Sequence, residues 1–261
     1  MRPRLTAAVL LAIACSCSAG EIRFQTERFS AVVGADAVWR ELIETGSGQS
    51  LLARNAPIAL VEVGGRTCAA NSAAIDGERL SVGFSGADTR LEYAIEQSPD
   101  WVTFRLGRIT GTRPERVTLL QIAVTPTEHV GPRLNGAWND RAAVVLMGTG
   151  RQTLGRPARR EGWTDLAAVA QDAPGPRLEQ SAAALIVAPL AQIRGVLADL
   201  AAAYKLPTNL AEDGTPSKDT AAARGSYWFL SFAEAEVDRV IEYCRKTGFR
   251  QVMLSSDAWC T

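Results

Sequence analysis

The sequence predicts a mostly β chain: a large antiparallel sandwich, then a single βαβ unit at residues 223–261. Three observations predict it. Apolar and polar residues alternate in many short runs between Glu21 and Gly150, the pattern of strands with one face on a core and one in water. Turn residues separate those runs at short intervals: Gly46-Ser47-Gly48, Gly64-Gly65, Asp76-Gly77, Ser98-Pro99-Asp100 and Asn135-Gly136. After residue 223 an apolar run, a helical stripe and a second apolar run follow with short joints, the layout of two parallel strands and a crossover helix.

The alternating runs give the strands in order. Ile22 and Phe24 form the first, then Phe29, Ala31 and Val33. Leu80, Val82 and Phe84 follow, then Leu91, Tyr93 and Ile95, then Val102, Phe104 and Leu106, then Leu120, Ile122 and Val124. Such runs make a sandwich or a closed barrel, and the β region from Glu21 to Gly150 is longer than a small seven-stranded module, which favours a large antiparallel sandwich. The sandwich is placed at residues 20–160, and a helical bridge and linker at 161–222. Trp163 to Ala170 reads as a short helix capped by Thr164, and Ala183 to Ala188 as a short apolar run. Pro189 suits the first turn of a helix. Leu190, Ile193, Leu197, Leu200 and Tyr204 then recur at three- and four-residue steps, an amphipathic stripe that Pro207 ends. Residues 209–223 are polar, carry Gly214 and Pro216, and read as a linker.

In the last unit Tyr227 to Leu230 is a strand. Ser231 and Glu234 have capping-box spacing. Val237, Val240, Ile241 and Cys244 are the buried stripe of the helix, and Gly248 is its stop. Phe249 to Ser255 is the second strand.

Residues 1–19 stand apart. Arg2 and Arg4 precede an apolar Leu5 to Ala14, and small residues follow to Ala19. That order is a secretory signal peptide cut after Ala19, so the protein is expected to be exported: periplasmic, extracellular or lipid-anchored. A lipoprotein signal at Cys15 or Cys17 competes, although neither has a leucine three places upstream. Removing the leader leaves Cys68, Cys244 and Cys260, an odd number that argues against a disulfide framework. No later run is long enough for a membrane span. Lys+Arg and Asp+Glu both number 28, so no overall field argues for nucleic acid or a charged partner. Oligomeric state is not readable.

Candidate chemistry is sparse. His129, the only histidine, lies in an irregular stretch, Thr125 to Pro132, and reads as a surface residue. The cysteines lack metal-ligand spacing, so neither a metal nor a cofactor is expected. Gly148-Thr149-Gly150 opens no helix and is a turn. Arg151, Arg156, Arg159 and Arg160 form a basic cluster that reads as solvated surface. Asp257 and Trp259 follow the last strand, where parallel α/β barrels build their sites. Asp accepts hydrogen bonds from hydroxyls, and Trp offers an apolar face to a sugar ring. The other reading is a helix cap at Asp257 and a core role for Trp259.

The segment Tyr227-Trp228-Phe229-Leu230, a helix from about Ala233 to Thr247, and then Ser256-Asp257-Ala258-Trp259 resembles the opening of the barrel in α-galactosidase-like glycoside hydrolases. There an Asp-Asp-Gly-Trp or similar motif ends the second strand; here Ser256 and Ala258 replace its first Asp and its Gly. The front, Phe29 to Leu52, resembles the opening of the galactose-mutarotase-like β-supersandwich that precedes such barrels. The resemblance implies a mainly β supersandwich plus the truncated start of a (β/α)8 barrel. It implies a carbohydrate substrate and sugar contacts at Asp257, Trp259 and Trp228. The family's two catalytic carboxylates come from later strands, so no catalytic residue is assigned. The expectation is an N-terminal fragment of a glycoside hydrolase, inactive alone. Alternatives are a non-catalytic carbohydrate-binding sandwich on the cell surface, or a barrel enzyme of another chemistry.

Overall fold

The computed structural model describes residues 20–150, 152–171, 178–206, 227–230, 232–249 and 251–254. By its internal contacts the chain forms two units, Met1–Leu206 and Pro207–Thr261.

In the first unit, β1 (Glu21–Gln25), β2 (Phe29–Gly34) and β3 (Trp39–Glu44) make a three-stranded antiparallel sheet. A second sheet holds the strands β4 (Leu60–Val63), β5 (Arg66–Asp76), β6 (Arg79–Phe84), β7 (Thr89–Gln97), β8 (Trp101–Gly111) and β9 (Arg116–Val124). It continues with β10 (His129–Gly131), β11 (Gly136–Trp138), β12 (Ala142–Gly148), β13 (Thr153–Gly155), β14 (Ala158–Arg159), β15 (Thr164–Gln171) and β16 (Ala182–Pro189). Its order is β10-β11-β12-β16-β8-β7-β6-β5-β4-β9-β15-β13, with β14 on β15. Every pairing in it is antiparallel.

A sheet of this breadth must curl. It does: β12 packs on β9, β13 and β15. Asn135 stitches the approach. Its amide nitrogen donates to the carbonyls of Leu146 (2.7 Å) and Ala167 (2.9 Å). The expected alternation is what fills the enclosed core. Phe24, Phe29, Leu80, Leu91, Phe104, Leu106 and Ile122 all lie in it, and Phe24 meets Phe104 edge-on with centroids 5.1 Å apart. Trp39 of the small sheet is fully buried and donates its indole N–H to the Gln121 carbonyl of β9 (2.6 Å).

Two expectations are corrected here. Thr164 to Ala170 is strand β15, not a helix. Thr164, Leu166, Ala168 and Ala170 are buried at period two, and the strand pairs with β9, β13 and β14. Sheet pairing overrides the helical preference of its alanines. The sheet therefore runs past residue 160, where the sequence placed the change to a helical bridge. The second correction concerns Pro189, which ends β16 opposite Ala142. Helix α1 begins later, at Ile193–Ala203.

The apolar run of β16 has a physical reason. Ala183, Leu185 and Val187 face the main core, while Ala184, Ile186 and Ala188 face a second cluster. Ile193, Val196 and Leu200 of α1 close that second cluster, with Leu190, Leu197 and Tyr204 packed at its margin. The Tyr204 hydroxyl shares a hydrogen bond with Thr103 Oγ1 (2.7 Å) and donates to Glu96 (3.0 Å), pinning the end of the helix.

In the second unit β17 (Tyr227–Leu230) and β18 (Gln251–Leu254) are parallel, with Trp228 opposite Val252. Between them lie a 3-10 turn, Glu234–Glu236, and helix α2 (Val237–Thr247). The Glu236 carboxylate reaches back and accepts from the Ala233 N–H (3.3 Å); Ser231 of the expected capping box lies outside the described residues. Gly248 stops the helix at φ +79°, a conformation that glycine adopts without a Cβ clash. Of the expected buried stripe, Cys244 is 7% exposed, but Val237 is 37% and Ile241 43% exposed. Two strands of four residues cannot cover an eleven-residue helix. A barrel beyond this βαβ unit is not part of the described residues.

Candidate functional site

The sequence placed its site after the second parallel strand. The structure describes that strand to Leu254; Asp257 and Trp259 lie outside the described residues. Trp228 lies within β17. What the described residues establish is local: β17 and β18 run the same way, so their C-terminal residues Leu230 and Leu254 sit side by side. The leader at residues 1–19, Arg151, Cys260 and the 209–223 stretch also fall outside them. Among the described residues no group of three or more His, Cys, Asp or Glu gathers to hold a metal, and no helix is long and apolar enough to cross a membrane. Cys68 and Cys244 are buried free thiols.

His129 is exposed on β10 and stacks on Trp138, with ring centroids 5.7 Å apart.

Two depressions stand out among the described residues of the first unit. One, about 250 Å³, is polar and lies beside the irregular pairing of β5 with β6, lined by Asn71, Ser72, Asp88, Arg90 and Thr110. The other, about 220 Å³, lies on one face of β9, β15 and β14. Register builds it. Ala123 is opposite Asp165, Gln121 is opposite Ala167, and Ala158 is opposite Asp165 on the other side. Period two along β14 and its flanks then puts Arg156 and Arg160 on the face of Ala158. Alanines 123, 158 and 167 make a low floor, and Arg54, Arg156 and Arg160 stand around it.

Asp165 organises two of those arginines. It accepts from Arg160 (3.1 Å), Arg54 (3.4 Å) and the Trp163 indole N–H (3.0 Å). The Arg54 guanidinium lies over the Trp163 ring, 5.3 Å from its centroid. The Arg156 side chain has no hydrogen-bond or ion-pair partner among the described residues. Arg159 points off this face and donates to the carbonyls of Thr127 and Glu128. Arg156, Arg159 and Arg160 are exposed, as a solvated cluster should be, and alternation along β14 sorts them to its two faces. Arg54, Trp163 and Asp165 carried no sequence signal of their own. The alternation of Arg156, Ala158 and Arg160 was the one available clue.

No protein-family model and no curated protein matches the chain. Solved structures do. The α-N-acetylgalactosaminidase NagBb from Bifidobacterium bifidum, in complex with GalNAc, superposes with a TM-score of 0.52 at 11% identity. The match covers 89% of this chain and 51% of NagBb. The same enzyme with Gal-NHAc-DNJ gives 0.52 at 13% identity, over 89% and 50%. A putative aldose 1-epimerase from Escherichia coli K12 gives only 0.36 at 11%, over 66% and 100%. The NagBb matches show a shared fold, that of a glycoside hydrolase, and nothing finer. The chain spans about half the length of NagBb.

Proposed function

We propose that this chain belongs to an exported carbohydrate-active protein of glycoside-hydrolase type, acting on terminal sugars of oligo- or polysaccharides. The observation that carries the reading is the fold likeness to NagBb over 89% of the chain. The parallel pairing of β17 and β18 across a helix supports the finer part of the reading. On this reading the βαβ is the first piece of a catalytic barrel, and residues just past its strands meet the sugar. Asp257 accepts from sugar hydroxyls, Trp259 offers its face to the ring, and Trp228 belongs to the same corner. Glycoside hydrolysis uses two carboxylates across the scissile bond. On this reading both belong to barrel strands other than β17 and β18, so none is assigned here. The Arg2, Arg4 and apolar leader supports export.

The test is retention of the full chain on immobilised terminal galactosides and N-acetylgalactosaminides. The expected result is binding that W259A and D257N each weaken. A wild-type chain that retains no neutral glycan, or variants that bind like it, would overturn the reading.

A further inference from the structure

The alanine-floored depression on β9, β14 and β15 has a composition that the barrel reading does not use. Three guanidinium groups, Arg54, Arg156 and Arg160, face one carboxylate, Asp165. Lys+Arg and Asp+Glu balance over the whole chain, so this surplus of positive charge is local. Asp165 is committed: Arg160, Arg54 and the Trp163 N–H all donate to it, and together they hold two arginine heads in place. Arg156 is the remaining cation, with no partner among the described residues. It projects from the same face, two residues before Ala158.

Arginine presents paired N–H groups in a fixed fork that matches a carboxylate. The floor is apolar and shallow because alanine side chains end at Cβ. Acceptors stand beside the cations. The Gln121 amide donates to the Pro57 carbonyl (3.0 Å), which fixes the side chain with its oxygen still able to accept. A ligand that fits this set has a carboxylate, hydroxyls that donate, and a ring whose C–H face rests on alanine. We infer that this depression binds a carboxylated pyranose, a hexuronate residue of an acidic saccharide, with Arg156 and Arg160 on its carboxylate.

The inference does not depend on the barrel reading, because its residues all lie in the first unit. The experiment is calorimetric titration of the full chain with a di-galacturonate, with the matching neutral disaccharide, and with acetate. Wild type and W259A are expected to bind the uronate alike, more weakly as salt rises. R156Q and R160Q are exposed substitutions and are each expected to weaken it about tenfold or more, the loss of a hydrogen bond to a charged group. Three results would overturn the inference: no uronate binding, binding of the neutral disaccharide or of acetate that R156Q and R160Q weaken as much as they weaken the uronate, or full affinity in both R156Q and R160Q.

Discussion

Replacing Asn135 tests how the wide sheet closes. Asn135 is 1% exposed and sits at φ +49°. Its two donated hydrogen bonds end on carbonyls of β12 and β15, strands far apart in the sheet order. Both partners are acceptors, so the amide nitrogen must face them. N135A deletes both bonds, about 0.5–1.5 kcal/mol each in net terms. It also places alanine in the left-handed region, which costs about 1 kcal/mol more. The expected loss is about 2–4 kcal/mol. N135G loses the bonds but not the backbone fit, so it should be about 1 kcal/mol more stable than N135A. Gly155 supplies an independent check. A Cβ there would lie 2.4 Å from the Cβ of Asn135. G155A should therefore destabilise the wild type by about 1–3 kcal/mol, and much less in the N135G background, where the colliding atoms are gone. Urea unfolding followed by far-UV circular dichroism reads the four variants against wild type. The reasoning fails if N135A lies within about 0.5 kcal/mol of wild type, if N135G is the less stable of the two, or if G155A costs the same in both backgrounds.

Two further outcomes follow from single residues and a third from the proposed function. The Tyr93 hydroxyl is buried without a hydrogen-bond partner among the described residues, and burial pushes its phenol well up. Y93F should be neutral or stabilising by up to about 2 kcal/mol in thermal unfolding, and a clear loss would reveal an unseen partner. Burial pushes the Glu44 carboxyl up, but hydrogen bonds from the Ser47 hydroxyl and from the Gly46 and Ser47 N–H groups, with the charge of Arg28, outweigh it and hold it below the usual range. A depressed carboxylate stabilises fully above its unfolded value, about pH 4.3, and loses this as pH falls through the folded value. E44Q should therefore be less stable than wild type at pH 7, with the gap closing as the pH falls below the unfolded value and through the depressed folded one; a constant gap would refute the cause. Aryl α-glycosides incubated with the full chain should release no aglycone above background, since the reading places both carboxylates in other strands; turnover would contradict that.

Much of the fold was legible because one force, burial of one face of each strand, wrote both the sequence and the structure. Ile22 with Phe24, Leu91 with Tyr93, and Val102 with Phe104 alternate and are all buried. The signal failed where a strand has two covered faces or small residues. β16 shows no alternation because α1 covers its outer side. β15 alternates, but through alanines, whose helical preference hid the pattern. The stripe of α2 was visible; its partial exposure was not, because exposure depends on what lies opposite. Of the arginine-rimmed depression only the Arg156 and Arg160 rim showed in the sequence, for a different reason. Its parts come from residues 54, 121 and 156–165, and only register brings them together.

The central proposal is of a carbohydrate-active protein whose sugar sits past the parallel strands. The most direct measurement is a crystal structure of the full chain soaked with N-acetylgalactosamine. The account predicts the sugar against Trp259 and Asp257, beside the C-terminal ends of β17 and β18. Crystals that take up no sugar there, or hold it only elsewhere, would contradict it.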